Sequence, residues 1–187
     1  MIDLDGTLLD TIPDLAVAAN LMLAELGRPP LDESVIRTFV GKGIPMLVER
    51  TLARSSGGAA DPALFARALT VFERCYAGVN GRHTTIYPGV KEGLERLREQ
   101  GFPLACVTNK AAGFTLPLMH ACGKFGILPR DMLMIGDSLN DAQAARSAGC
   151  PVFCVPYGYN EGRDVRELDI DAIVPSILEA TRLIQKA

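Results

Sequence analysis

The sequence predicts an α/β protein: a doubly wound, Rossmann-like parallel sheet with a helical cap inserted into it. Three observations carry this. From about residue 86 onward short apolar runs alternate with helical patterns, the signature of βα units around a parallel sheet. Between about residues 11 and 85 there is no strand signal, only helical periodicity broken by turns. The chain also opens on a short apolar lead, Met1-Ile2, into two carboxylates, Asp3 and Asp5, as at the end of a strand. The expected division is a core from residues 1–10 and 86–187 and a cap from residues 11–85.

Each element has a local reason. Pro13 begins a helix whose apolar face holds Leu15, Ala19, Met22 and Leu26, and Gly27 ends it. Asp32 can cap a short helix bearing Val35, Ile36 and Phe39. Gly41-Lys42-Gly43 interrupts the pattern before Ile44, Leu47, Val48 and Leu52 resume it. Ser55 to Ala60 reads as a linker of small residues, and a further helix presents Leu64, Phe65, Leu69 and Phe72. In the core, Pro88-Gly89 opens a helix with Val90, Leu94 and Leu97 on one face, closed by Gly101. Leu104 to Val107 is a buried strand, followed by a helix after Asn109. Met132 to Ile135 is the next strand, Leu139 to Ala148 a helix ended by Gly149, and Val152 to Val155 and Ala172 to Val174 two more strands. Ser176 to Gln185 completes the pattern as a terminal helix.

Composition bounds the function classes. Of 187 residues, 48% are hydrophobic and 22% charged, which excludes a disordered chain. A net charge of −3 provides no general attraction to nucleic acid or to anionic membranes. Apolar runs stop far short of the roughly 18 residues a membrane span needs, and no signal peptide opens the sequence, so a soluble, cytoplasmic protein is expected. Cys75, Cys106, Cys122, Cys150 and Cys154 form no C-x-x-C pair and read as reduced core thiols. His83 and His120 have no partner cluster, and Ser55-Ser56-Gly57-Gly58 lacks the Lys and preceding strand of a phosphate loop.

Three stretches carry the chemistry. Asp3-Leu4-Asp5-Gly6-Thr7 ends the first strand with a turn at Gly6, which places two carboxylates where ligands bind in open α/β sheets. Two such carboxylates repel unless a cation lies between them, and Mg²⁺, with its few oxygen ligands, suits the position. Gly136-Asp137-Ser138-Leu139-Asn140-Asp141 follows another strand and reaches the same sheet edge. There Asp137 can ligate the same cation, with Asp141 one helical turn on to orient the ligands. Val107-Thr108-Asn109-Lys110 ends the strand between them, with a hydroxyl and amides suited to phosphate.

These stretches resemble the signature motifs of the haloacid dehalogenase superfamily, in its Mg²⁺-dependent phosphatase branch: D-x-D-G-T, the Thr-ending strand and the G-D-x-x-x-D acid motif. The resemblance implies that Asp3 is a nucleophile forming an aspartyl-phosphate and Asp5 the general acid, then base. It implies that Asp3, Asp137 and the main-chain carbonyl of Asp5 hold Mg²⁺, while Thr108 and the Gly6 and Asn109 amides hold the phosphoryl oxygens. An acid at Asp5 favours a phosphatase or phosphomutase over a dehalogenase. Helical segments inserted after the first motif are caps that exclude water and select the leaving group.

Leu8 to Leu15, Phe39 to Gly43, Tyr87-Pro88-Gly89-Val90, Val107-Thr108-Asn109-Lys110 and Tyr157-Gly158-Tyr159-Asn160 are most similar to members acting on 2-phosphoglycolate, a small phosphorylated metabolite. Lys42, in its Gly-Lys-Gly turn, would meet the substrate carboxylate or simply be a solvated turn residue. Tyr159 and Asn160 serve packing or substrate contact equally well. A sugar phosphatase or phosphomutase of the same branch is the nearest alternative.

In two respects the chain departs from the family. A motif Lys is expected between the Thr strand and the acid motif. Yet only 29 positions separate Thr108 from Asp137, and about 35 residues are missing, with the join near Leu118-Met119-His120. Lys110 and Lys124 replace that Lys in type only. Two residues before Asp3 also make a short strand to hold a nucleophile, and a lost neighbouring strand would bare a sheet edge. A binding or regulatory protein with impaired turnover is therefore the alternative from another class.

Overall fold

A computed structural model describes residues 1–56, 61–108 and 128–185. Asn109, Lys110, His120, Cys122 and Lys124, the helix expected after Asn109 and most of the 55–60 linker lie outside the described residues; Ser55 and Ser56 belong instead to the preceding helix. The chain forms two compact units, Met1–Asp10 with Ile86–Ala187, and Thr11–Thr85.

The first unit is built on a five-stranded sheet. Its strands are β1 (Ile2–Asp3), β4 (Cys106–Val107), β5 (Met134–Gly136), β6 (Val152–Cys154) and β7 (Ala172–Ile173), in the order β4-β1-β5-β6-β7. All neighbouring pairs run parallel, with Ile2 opposite both Cys106 and Ile135, Ile135 opposite Phe153 and Phe153 opposite Ala172. Consecutive residues alternate between two apolar clusters. Met1, Met134 and Cys154 join Ala144, Ala145 and Ala148 on one face. Ile2, Ile135 and Val155 join Val90, Leu97 and Ile177 on the other. Side chains of a strand point alternately to its two faces, so this alternation is the double winding itself. Helix α5 (Val90–Glu99) and α7 (Ile177–Ala180) cover one face, and α6 (Leu139–Ala148) the other.

The two-residue β1 is an interior strand, not an edge. The Ile2 amide donates to the Ala105 carbonyl and the Ile135 amide to the Met1 carbonyl, each at 2.9 Å, so ladders on both sides hold it. Strand β4 pairs only with β1 among the described residues, and Leu104 and Cys106 are exposed. The terminal helix is shorter than its apolar pattern. Beyond Ala180 the Arg182 and Leu183 amides donate to carbonyls three residues back, and the Thr181 hydroxyl takes the Leu178 carbonyl at 2.7 Å, which tightens the chain into turns.

The second unit is helical: α1 (Ile12–Glu25), α2 (Glu33–Arg37), α3 (Gly43–Ser56) and α4 (Pro62–Val79), with α1 packed chiefly against α4. Asp61 caps α4, accepting from the Ala63 and Leu64 amides, with Pro62 at the first helical position. Strands β2 (Leu9–Asp10) and β3 (Thr85–Ile86) pair as a separate two-stranded sheet. No helix among the described residues is long and apolar enough to cross a membrane.

Candidate active site

Parallel strands whose neighbours lie on either side of β1 leave a crevice at their carboxyl ends, and the expected motifs converge there. Asp3 ends β1, Thr108 follows β4, and Asp137 follows β5. Asp3, Asp137 and Asp141 each bring a carboxylate oxygen to within 4.8 Å of the other two, and all three residues are buried.

The acid-motif loop folds this way because α6 begins with a reciprocal cap. One carboxylate oxygen of Asp141, Oδ2, accepts from the Asp137 amide (3.1 Å), the Ser138 amide (3.0 Å) and the Ser138 hydroxyl (2.7 Å). Its other oxygen, Oδ1, is buried with no hydrogen-bond partner among the described residues. Asp137 uses both oxygens: Oδ1 accepts from the Thr7 hydroxyl at 2.9 Å and Oδ2 from the Tyr159 amide at 2.6 Å. Room for this carboxylate comes from two glycines. A Cβ on Gly6 (φ +93°) would lie 2.5 Å from an Asp137 oxygen, and one on Gly158 2.2 Å from the same carboxylate.

Every donor to these groups among the described residues is neutral, and the electrostatics are accordingly unbalanced. Burial, then the charges of Asp141 and Asp137, pushes the Asp3 carboxyl far above the ordinary range. Burial and Asp141 raise Asp137 against the pull of the Tyr159 amide and Thr7 hydroxyl, and burial raises Asp141. Nearby Cys154 is pushed up to about 12 by burial and by the same two aspartates. Three buried carboxylates can all be ionised only with a compensating positive charge among them. The oxygen-only donor set and the unmatched Asp141 Oδ1 fit a hard divalent cation.

The remaining expected residues fall as follows. Asp5 adds no carboxylate oxygen to the cluster of three. The Thr108 hydroxyl is buried with no partner among the described residues, as a group reserved for a ligand would be. The Gly6 amide donates to the Leu9 carbonyl at 2.9 Å and closes the turn, and the residue leaves space beside Asp137. Lys42 is exposed in the bend that opens α3, in the helical unit.

Sequence reasoning passed over Thr7 and left Tyr159 and Asn160 undecided between packing and substrate contact. Tyr159 supports Asp137 through its amide, and Asn160 accepts from the Leu139 amide at the start of α6 (2.9 Å). Their position just past β6, at the same sheet edge, was the available signal.

Comparison with known proteins gives this geometry its context. The haloacid dehalogenase-like hydrolase family matches residues 1–123, and a second family described as HAD-hydrolase-like matches residues 115–180. The chain belongs to the haloacid dehalogenase-like hydrolase family. A phosphoglycolate phosphatase of Nitrosospira multiformis is 55% identical over 216 aligned positions, covering all of this chain and 95% of the relative. Another, from Thiobacillus denitrificans, is 48% identical with the same coverage. The crystal structure of a predicted phosphoglycolate phosphatase from Haemophilus somnus superposes with a TM-score of 0.89 at 30% identity, covering 98% of this chain and 96% of that one. With relatives of this kind, the family member described here is a phosphoric monoester hydrolase. The first alignment is longer than the chain, 216 positions against 187 residues, so about 29 positions of the relative have no counterpart here.

Proposed function

We propose that this chain hydrolyses 2-phosphoglycolate to glycolate and phosphate with Mg²⁺ as cofactor, through an aspartyl-phosphate on Asp3. The observation that carries the reading is the buried cluster of Asp3, Asp137 and Asp141 at the carboxyl edge of the sheet. The names of the relatives support the substrate. Asp3, Asp137 and the Asp5 carbonyl would hold the ion, with Asp141 fixing the loop that carries Asp137. When bound, Mg²⁺ supplies the positive charge that keeps the carboxylates ionised and offsets charge on the phosphoryl group.

Within this reading the residues act in sequence. An Asp3 oxygen attacks phosphorus and the bond from phosphorus to the glycolate oxygen breaks, while Asp5 gives that oxygen its proton. Water then attacks the acyl phosphate, Asp5 takes its proton, and inorganic phosphate leaves with Asp3 restored. Thr108 contributes its hydroxyl to the phosphoryl oxygens, and Asn109 would add its amide. The helical unit acts as the cap, with Lys42 meeting the substrate carboxylate, and the enzyme works in the cytoplasm on this small metabolite.

Phosphate release from 2-phosphoglycolate and a panel of sugar phosphates, with Mg²⁺ or chelator, tests the proposal. Release from 2-phosphoglycolate should require Mg²⁺ and fall by at least about 10³-fold in Asp3→Asn, which removes the nucleophile. No release from a folded, Mg²⁺-binding chain would sink it. Lys42→Ala should weaken phosphoglycolate more than a neutral sugar phosphate, and equal loss on both would remove Lys42 from the substrate site.

One observation favours a second reading, a protein that keeps the metal carboxylates with impaired turnover. About 29 positions of the first relative have no counterpart in this chain, and between Thr108 and Asp137 the only lysines are Lys110 and Lys124. Losing an electrostatic donor of that kind costs about 10²–10³ in rate. Mg²⁺ binding without turnover above that of Asp3→Asn is the outcome that would select this reading.

A further inference from the structure

Asp137 is held from two sides, and both supports lead to one short loop. Its Oδ2 accepts the Tyr159 amide directly. Its Oδ1 accepts the Thr7 hydroxyl, and the main-chain carbonyl of the same Thr7 accepts the Tyr157 hydroxyl at 2.9 Å. The Tyr159 hydroxyl returns to the turn that follows the nucleophile strand, 3.0 Å from Asp10 Oδ1 and 3.3 Å from the Leu9 carbonyl. That Leu9 carbonyl also closes the Gly6 turn. Between the tyrosines stands Gly158, at a position where a Cβ would collide with Asp137. The ring of Tyr87 packs behind Tyr157 with centroids 4.3 Å apart, and Tyr159 is buried. Two hydroxyls 150 residues distant from their acceptors thus tie the loop after β6 to the turn after β1, with Asp137 between them.

We infer that Tyr157 and Tyr159 are positioning residues that fix the Asp137 carboxylate for the divalent cation by clamping it against the Thr7–Asp10 turn. The inference rests on the proposed metal role of Asp137. Neither tyrosine hydroxyl touches the reacting atoms in it. Each hydroxyl restrains a group that in turn orients a carboxylate oxygen, and removing partners of this kind costs about 10–100-fold in metal affinity or activity.

The test is Mg²⁺ binding to the full chain by isothermal titration calorimetry, beside thermal unfolding in Mg²⁺-free buffer. Tyr159→Phe keeps the ring and the amide and loses only the hydroxyl, and Tyr157→Phe does the same for the Thr7 carbonyl. Each should raise the Mg²⁺ dissociation constant about tenfold while the metal-free unfolding midpoint stays near that of the parent. Asp10→Asn retains an acceptor oxygen and should bind as the parent does. Asp10→Ala leaves the hydroxyl only the longer contact with the Leu9 carbonyl, so it should fall between the parent and Tyr159→Phe and add nothing to Tyr159→Phe in the double variant. Should Tyr159→Phe fail to fold, Tyr157→Phe and the Asp10 pair decide the matter.

Dissociation constants within twofold of the parent in both tyrosine variants would overturn the clamp, as would a folded parent chain that binds no Mg²⁺. A parent that binds Mg²⁺ and releases no phosphate defeats the proposed function alone, and the ratios of dissociation constants still judge the clamp.

Discussion

Two aspartates of this chain are both shielded from water and have opposite fates. In the helical unit, Asp14 on α1 is 0% exposed, and burial works against its charge. Yet Oδ2 accepts from the Gly81 amide (2.8 Å), the Thr84 amide (3.2 Å) and the Thr84 hydroxyl (2.6 Å), and Oδ1 from the His83 amide (2.8 Å). Those hydrogen bonds, led by the Thr84 hydroxyl, outweigh burial and hold the carboxyl below its ordinary value. In the sheet unit, Asp3 is 5% exposed, has two carboxylates beside it, and is driven the other way. Burial alone therefore does not decide whether a carboxylate is charged; the match of donors to oxygens does. Among the described residues Asp14 finds donors for both its oxygens, and Asp3 with its neighbours finds no matching positive charge.

The comparison breaks first on stability. Asp14→Ala leaves three amides and a hydroxyl inside the helical unit without their acceptor and should cost about 3 kcal/mol. In a chain of this length that lowers the unfolding midpoint by roughly 6–12 °C. Asp3→Asn replaces a carboxyl whose charged form its surroundings disfavour in the absence of a cation, and should leave the metal-free midpoint unchanged or raised. Thermal denaturation of both variants in chelator checks this, and a larger loss in Asp3→Asn than in Asp14→Ala would overturn the contrast.

Metal and acid then sharpen the contrast. Mg²⁺ at a hundred times its dissociation constant should add about 2.7 kcal/mol to the parent. The same ion should add the same amount to Asp14→Ala and nothing to Asp137→Asn. Acid acts on Asp14. Because its folded value lies below the ordinary 3.8, its contribution is whole above that pH and is lost as pH falls from 3.8 through the folded value. The stability gap between parent and Asp14→Ala, measured by denaturant unfolding, should narrow on acidification below 3.8 and stay nearly constant above it.

What the sequence revealed depended on the range of the interaction. Helix α6 was legible to the residue because its signals are adjacent, the strand and loop before Leu139 and Gly149 at its end, while the Ser138–Asp141 cap emerges only in the structure. The meeting of Asp3, Thr108 and Asp137 at one edge was legible because parallel strands impose it. Tyr157, Tyr159 and Asp10 were not, since their partners lie about 150 residues away and no local period records a hydroxyl reaching a turn. Asp14 was hidden for the same reason, as its acceptor role faces residues 81–84, 67 to 70 positions on. The terminal helix was overdrawn because the apolar spacing of Leu183 and Ile184 says nothing about the Thr181 hydroxyl bond that competes with helix continuation.

The smallest expected effect concerns a third kind of carboxylate, one at the surface. Arg146 on α6 reaches Asp171 at 2.9 Å and Asp169 at 3.1 Å, and its hydrogen bond with Asp171 is the main reason that carboxyl lies below its ordinary value. The Arg146 side chain is a third exposed and that of Asp169 largely so, and water and salt screen such pairs. Asp171 also accepts the Val152 amide at 2.7 Å, so removing the guanidinium leaves it with a partner at the start of β6. Arg146→Ala should therefore cost under about 1 kcal/mol, and less in high salt. An NMR titration of Asp171 in that variant should show its carboxyl moving up toward the ordinary value while the Val152 amide still holds it. A loss as large as that of Asp14→Ala would mean that the charge pair, and not the backbone donor, secures this edge of the sheet.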